Sequence, residues 1–370
     1  MRIIYLTESM GWSGGAQQVL WMAGALRKRG HELFLACQPG SDLIARAREE
    51  GVPTVDVRMR QDYDIPAAAR VASLLRAHRT EVLHAQHSTG HAIGLMAAWW
   101  ARVPVFAVTR RVVFPMHKNI FSRFKYLSGR INGYVAISSA VKEELMKAGL
   151  STLRIEVIPS VMSHEAGNPQ DRIDVRKELG LSTARPLITN IANYADFKGQ
   201  DVLVRAAAEV VKRFPDAQFL FAGRDTEKLK PLVNQLDLSA SVRLVGFRTD
   251  VSRLLAATDI FVLPSLQEAV GTALREAMSA GLACIGTNVG GIPESIRHED
   301  TGLLVPPADV GALAQAIIRL LEDPHQAQTL AVRGREFVRE HFTLEPASVK
   351  MEAFYERLLA KKQGNGATRT

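Results

Sequence analysis

Cysteine is nearly absent from this chain of 370 residues: Cys37 and Cys284 are the only two, and they stand far apart. That excludes a disulfide-stapled scaffold and a cysteine zinc site, and it suits a reducing, cytoplasmic compartment. Long apolar runs are also missing. The longest, Ala92 to Ala101, stops at Arg102, well short of the roughly 20 residues a bilayer-spanning helix needs. The opening residues reach Glu8 too soon for a secretory signal. Acidic residues are missing between Glu81 and Glu143, a stretch that holds Arg102, Arg110, Arg111, Lys118, Arg123, Lys125, Arg130 and Lys142. The whole formal charge of +8, 46 Lys and Arg against 38 Asp and Glu, therefore resides there. Such a basic surface concentrates an anionic partner; a solvated face that happens to be basic is the plainer alternative.

What is present is the composition of a folded soluble chain, 47% apolar and 23% charged. At roughly 150 residues per domain the length predicts about two domains. Short apolar runs alternate with helical patterns, as in Arg2–Thr7, then Val19, Leu20, Met22, Ala23 and Leu26 at three- and four-residue spacing. The alternation continues through Glu32–Cys37, Val82–His84, Pro104–Val108 and Gly133–Ile137. It resumes at Leu187–Ala192, Gln218–Ala222, Val242–Val245, Ile260–Pro264 and Ala283–Gly286. This predicts an α/β protein of two Rossmann-like, doubly wound domains, each a parallel sheet covered by helices. The first spans 1–165, the second 173–345, and a helix over 346–362 can cross back to the first. The polar segment Pro159–Arg172 reads as a linker, and the tail Gln363–Gly366 as disordered. Ligands of such sheets bind beyond the carboxyl ends of the strands, so the expected site lies in a cleft faced by both domains.

The most informative stretch is Pro264–Gly281. A strand ends at Pro264, a turn carries Glu268, and a helix starts near Gly271 or Thr272. The free amides and dipole of that helix start suit a phosphate or diphosphate. Glu268, just before the helix, and Glu276, one to two turns in, are placed to accept hydrogen bonds from hydroxyls. Two hydroxyl acceptors flanking one phosphate cradle are what a nucleotide sugar needs. His84 and His87, three apart at a strand end, have no evident third ligand, and no metal site is expected.

These residues resemble glycosyltransferase family 4, retaining enzymes of the two-domain GT-B fold, and among them the bacterial envelope-saccharide glycosyltransferases. The resemblance rests on Glu268 and Glu276 followed by Ala277-Met278 and Ala280-Gly281, on Gly290-Gly291-Ile292-Pro293-Glu294, and on Thr301-Gly302-Leu303-Leu304-Val305-Pro306. Lys198-Gly199, Gly14-Gly15-Ala16-Gln17 and Arg29-Gly30-His31-Glu32 extend it over about Met1 to Phe342. It implies that Lys198 and Glu268 are catalytic: Lys198 neutralises the leaving diphosphate and Glu268 binds hydroxyls of the donor sugar. Ala269, Val270, Gly271 and Thr272 would offer amides to the diphosphate, Glu276 would hold the ribose, and Gly14 and Gly15 would approach the phosphates from the first domain. The base would be gripped around Gly246-Phe247-Arg248 and Gly223-Arg224. No metal or resident cofactor is implied, the donor being a nucleoside-diphosphate sugar.

Two departures stand out. Asn193 occupies the position where the family usually has a second diphosphate-binding Arg. Where many members have a His, this chain reads Val108-Thr109-Arg110-Arg111; Arg110 and Arg111 suit an anionic acceptor. Between Phe114 and Leu127, cations including Lys118 and Arg123 interleave with aromatic residues, and Ile120, Phe121, Phe124 and Leu127 fall on one helical face. That suits an interfacial helix on an anionic membrane, a groove for a phosphorylated glycolipid, or a helix packed on the sheet. The expected activity is transfer of a sugar to an envelope glycolipid or oligosaccharide such as the lipopolysaccharide core, at the cytoplasmic membrane face. A small soluble acceptor, or a non-catalytic nucleotide-binding module, are the alternatives; nucleic acid is not an expected partner, for no reader motif accompanies the basic stretch.

Overall fold

The computed structural model describes residues 1–114, 120–162 and 168–367, side chains at 120–123, 169 and 364–367 excepted. It divides into two units, Met1–Val161 with Leu344–Thr370, and Met162–Thr343.

The first unit runs β1 (Arg2–Thr7), α1 (Gly14–Lys28), β2 (Glu32–Cys37), α2 (Asp42–Glu49), β3 (Thr54–Asp56), α3 (Ile65–Ala77), β4 (Val82–Ala85) and α4 (Ser88–Ala101). It continues through β5 (Val105–Arg110), α5 (Ile120–Leu127), β6 (Gly133–Ala136), α6 (Ser139–Lys147) and β7 (Ile155–Val157). All strands are parallel, in the order β3-β2-β1-β4-β5-β6-β7. A parallel sheet is covered on both faces, which is why β4, β5 and β6 are buried along their whole length. The helix starts carry their own signals. The Ser13 hydroxyl accepts from the Ala16 amide at 3.3 Å, and the Asp64 carboxylate accepts from Ala67 with Pro66 in the first turn.

The second unit runs α7 (Pro169–Glu178), β8 (Leu187–Ile191), α8 (Gln200–Arg213), β9 (Gln218–Ala222), α9 (Lys230–Gln235), β10 (Val242–Leu244), α10 (Val251–Ala257) and β11 (Ile260–Leu263). Then come α11 (Thr272–Ser279), β12 (Ala283–Thr287), β13 (Leu303–Val305), α12 (Val310–Glu322) and α13 (Pro324–His341). Its sheet is again all parallel, ordered β10-β9-β8-β11-β12-β13, over a core that includes Phe219, Phe221, Val262, Ile285 and Ile317. The last helix, α14 (Leu344–Ala367), returns to the first unit, where Phe354, Tyr355 and Leu358 join its core.

Both sheets therefore have the doubly wound order, reversing direction between β1 and β4 in the first unit and between β8 and β11 in the second. A crevice opens at such a reversal, beyond the carboxyl ends of the strands. No helix among the described residues is long and apolar enough to cross a membrane.

Two sequence expectations change. The segment read as linker holds the first turn of α7, which starts with a capping box between Asn168 and Asp171. The tail expected to be disordered continues α14 through Ala367.

Candidate functional site

In the second unit Lys198 follows β8 and Glu268 follows β11, one on each flank of the sheet reversal. Two backbone bonds bring them together. The amides of Leu266 and Gln267 both donate to the Phe197 carbonyl, at 2.8 and 3.2 Å. Gly199 permits this approach: it has φ of +61°, and a Cβ there would lie 2.2 Å from the Pro264 carbonyl oxygen. On the other side of the Glu268 turn, Gly290 has φ of +53° and a Cβ would fall 1.8 Å from the Glu268 carbonyl oxygen. That carbonyl accepts from the Gly291 amide at 3.1 Å. Only glycine combines that conformation with that contact. The two glycine motifs of the sequence thus act as clamps on the loop that carries Glu268.

The result is an ion pair. Lys198 Nζ donates to Glu268 Oε2 at 2.6 Å, both side chains being largely shielded from solvent. Ser265 Oγ also donates to Glu268 Oε2, at 3.3 Å, and the Ala269 amide donates to Oε1 at 3.1 Å. The two residues expected to bind diphosphate and sugar satisfy each other. One of the four amides expected to face a diphosphate, that of Ala269, is occupied by the Glu268 carboxylate. Val270 is buried and Gly271 caps α11, whose first residue is Thr272.

Glu276 stands one turn into α11 and pairs with no cation among the described residues. Burial alone pushes its carboxyl up to about 7. Its helix is pinned by the fully buried Arg275, which donates from Nε to Ser295 Oγ at 2.7 Å and lies 3.6 Å over the Phe342 ring. Arg275 is a positioning residue the sequence reading passed over; its signal was a cation on the buried face of an amphipathic helix. The raised carboxyl carries a stability consequence. Its ionised form is disfavoured by folding, so the penalty is absent below pH 4.5, grows as pH rises, and is complete above about 7. Glu276→Gln is expected to stabilise the substrate-free protein by on the order of 1 to 3 kcal/mol at pH 8 and by almost nothing at pH 4.5. Thermal unfolding followed across that pH range checks this; an effect independent of pH contradicts it.

Asn193 does not face an open site through its carbonyl oxygen, which accepts from the Arg224 amide at 3.0 Å. The exposed Arg224 side chain lies 4.8 Å over the half-exposed Phe247 ring. Arg248 is turned away into ion pairs with Asp250 and Glu178.

In the first unit, Gly14 and Gly15, read from the sequence as part of a glycine-rich turn, form the first turn of the helix α1. Arg110 and Arg111 do not act as a pair. Arg110 is buried, donates to Tyr126 Oη at 3.0 Å and to the Phe114 carbonyl, and lies over the Tyr126 ring. Arg111 donates instead to Gln86 Oε1 at 2.9 Å. The basic stretch is not one open surface either. Lys125 is buried on Asp62 and Ser88, and Arg130 donates to the Ala98 and Val103 carbonyls. On α5 the aromatic Phe124 is 61% exposed and the adjacent Lys125 only 5%, the reverse of an amphipathic face with cations outward. Lys118 lies outside the described residues, as does the side chain of Arg123. His84 is bonded through both ring nitrogens, to Tyr355 Oη and Thr109 Oγ1. Among the described residues no three His, Cys, Asp or Glu gather as a metal set.

Comparison with known proteins follows the same division. The family model for glycosyl transferases group 1 matches residues 171–337, and that for glycosyltransferase family 4 matches residues 12–165. The chain belongs to glycosyltransferase family 4. A similar curated member is the N-acetyl-alpha-D-glucosaminyl L-malate synthase of Bacillus anthracis, 28% identical over 308 residues, covering 80% of both chains. Another is the GDP-mannose-dependent alpha-(1-6)-phosphatidylinositol monomannoside mannosyltransferase of Mycobacterium tuberculosis, 28% identical over 325 residues, covering 82% of this chain and 79% of that one. Among solved structures, Anabaena Alr3699/HepE in complex with UDP superposes with a TM-score of 0.84 at 20% identity, covering 96% of this chain and all of the other. The fold of this family 4 member is thus GT-B. Its Lys198–Glu268 pair and half-buried Glu276 lie within the stretch matched by the group 1 model.

Proposed function

We propose that this glycosyltransferase is a retaining, metal-independent enzyme moving a hexosyl or N-acetylhexosaminyl group from a nucleoside-diphosphate sugar to a hydroxyl of an envelope glycolipid or oligosaccharide such as the lipopolysaccharide core. The observation that carries the reading is the Lys198–Glu268 ion pair held beside the start of α11. A donor dissociates it into two useful halves. Lys198 moves to the diphosphate, which also meets the amides of the α11 start. Glu268 then accepts hydrogen bonds from sugar hydroxyls, and Glu276 from the ribose. The base stacks on Phe247 and Arg224.

In the reaction the bond from the anomeric carbon to the diphosphate oxygen breaks, and a bond to the acceptor oxygen forms on the same face. The acceptor proton passes to the departing diphosphate. No side chain of the site is needed as a nucleophile. The protein contributes positioning and charge stabilisation of the leaving group. A lipid-borne acceptor is favoured by the mycobacterial relative, named for a phosphatidylinositol monomannoside. The exposed Trp99, Trp100 and Phe124 of the first unit suit peripheral attachment to its membrane. The relative named for L-malate favours a small acceptor as the second reading.

Acceptor-free hydrolysis of a panel of UDP- and GDP-sugars, followed by proton NMR, tests the proposal. The expected result is slow release of the sugar from one donor, appearing first as the anomer it had in that donor. Release of the opposite anomer first contradicts retention, and absence of release from every donor favours the non-catalytic module.

A further inference from the structure

Lys198 and Glu268 stand beyond the carboxyl ends of β8 and β11, whereas a groove at the amino ends of the same strands has no part in the transfer reaction. It lies between the starts of β8, β11 and β12, the end of α12 and the first turns of α13, with Phe214, Ile260, Leu320 and Ala331 among its walls. Its volume of about 450 Å³ is that of a small-molecule site. The lining is mostly apolar, and its polar side chains are Asp259 and Gln328. Asp259 is already spent. Its carboxylate accepts from Arg172 and Arg176, at 2.7 and 2.8 Å, and from the Leu187 amide at 2.7 Å. The acids at the end of α12 are spent as well: Glu322 pairs with Arg213, and Asp323 accepts from the Gln326 amide at the start of α13. A sugar or a nucleotide would find little to bond there, and an alkyl chain would lose nothing.

One end of the groove is cationic. Arg335 follows Ala331 by one turn of α13, and a helical side chain leans back over the turn before its own. Its Cδ lies 3.6 Å from where a Cβ on Gly281 would stand, and Gly281 lines the groove together with Ala331. Arg335 is half-buried and forms no ion pair or hydrogen bond among the described residues, although its Nε is closed off from solvent. A donor shut away from water without a partner is costly until an acceptor meets it. Apolar walls with one unmatched guanidinium at the end describe the complement of an amphiphilic anion.

We propose that this groove binds a medium-chain fatty acid, its alkyl tail against Phe214, Ile260 and Leu320 and its carboxylate on the Arg335 guanidinium. Burial of the tail supplies affinity without direction, and the guanidinium supplies selectivity for an oxyanion head. The groove is at the opposite end of the strands from the donor site, so occupancy does not depend on Lys198 or Glu268.

Isothermal titration calorimetry of the full chain with octanoate and, separately, with 1-octanol tests this. Wild type is expected to bind one octanoate saturably, and 1-octanol at least about tenfold more weakly. Arg335→Met is expected to lower octanoate affinity by about tenfold or more, to the level of 1-octanol, and to leave 1-octanol unchanged. Ala327→Trp, which fills the groove from α13, is expected to weaken both probes. Lys198→Ala is expected to bind octanoate as wild type does. Circular dichroism confirms that each variant is folded; if Ala327→Trp is not, Arg335→Met decides alone. Octanoate that does not bind wild type saturably, or binds Arg335→Met equally well, overturns the proposal. Octanoate binding lost in Lys198→Ala would place the probe in the donor site and overturns it too. A wild type that sediments as a dimer while Ala327→Trp sediments as a monomer would give the groove to a second copy of the chain, with the same consequence.

Discussion

Lys198→Ala is expected to lower the turnover of sugar transfer by about 10² to 10³, the effect of removing one preorganised donor to a leaving group, or roughly 3 to 4 kcal/mol of barrier. The loss should fall on kcat as well as kcat/KM, because the charge that Lys198 meets grows as the bond to the diphosphate breaks. Stability should change little. The Glu268 carboxylate left behind still accepts from Ser265 Oγ and the Ala269 amide, so it is not left without partners. Steady-state kinetics with thermal unfolding checks both halves. Normal turnover in a folded variant removes Lys198 from the mechanism.

Glu268→Gln separates the donor's two ends. The neutral amide no longer holds Lys198 in an ion pair, so a bare nucleoside diphosphate loses a competitor for that ammonium. UDP, or whichever diphosphate is native, is expected to bind at least as tightly as to wild type. Transfer is expected to fall by about 10² or more, because a site built to hydrogen-bond hydroxyls discriminates strongly when a partner is lost. Calorimetry of the diphosphate beside kinetics of transfer gives the signature: affinity kept, turnover lost. Weaker diphosphate binding in Glu268→Gln would mean that the pair in the free protein is not the one a donor must open.

Much of the architecture was legible because its signals are local. Apolar runs of four to six residues marked most strands, and the stretch from Pro264 to Gly281 showed strand, turn and helix in order. Helix α7 was not legible because it is mostly polar, with Val175 the one fully buried apolar side chain among its described residues, and its start is fixed by a capping box rather than by periodicity. Strands β7 and β13, of three residues each, were not read, whereas the equally short β10 was, within the run Val242–Val245.

Charge was misread for a different reason. Counting along the chain found eight cations without an acid, but Lys125 finds Asp62, 63 positions earlier, and Arg110 and Arg130 find oxygens rather than carboxylates. A local count cannot see partners that the fold brings from elsewhere. The same blindness hid the pairing of Lys198 with Glu268, 70 residues apart, although both were singled out separately. Gly199 and Gly290 explain why those two meet: their backbone angles and close carbonyl contacts draw three loops onto one point.

The most direct measurement of the account is calorimetric titration of a panel of nucleoside diphosphates into wild type and into Lys198→Ala. One diphosphate should bind wild type clearly and the variant at least about tenfold more weakly, with its parent nucleoside binding both alike. Equal affinity of that diphosphate for the two proteins, or no diphosphate bound by wild type, would contradict the claim that Lys198 leaves Glu268 to meet the donor.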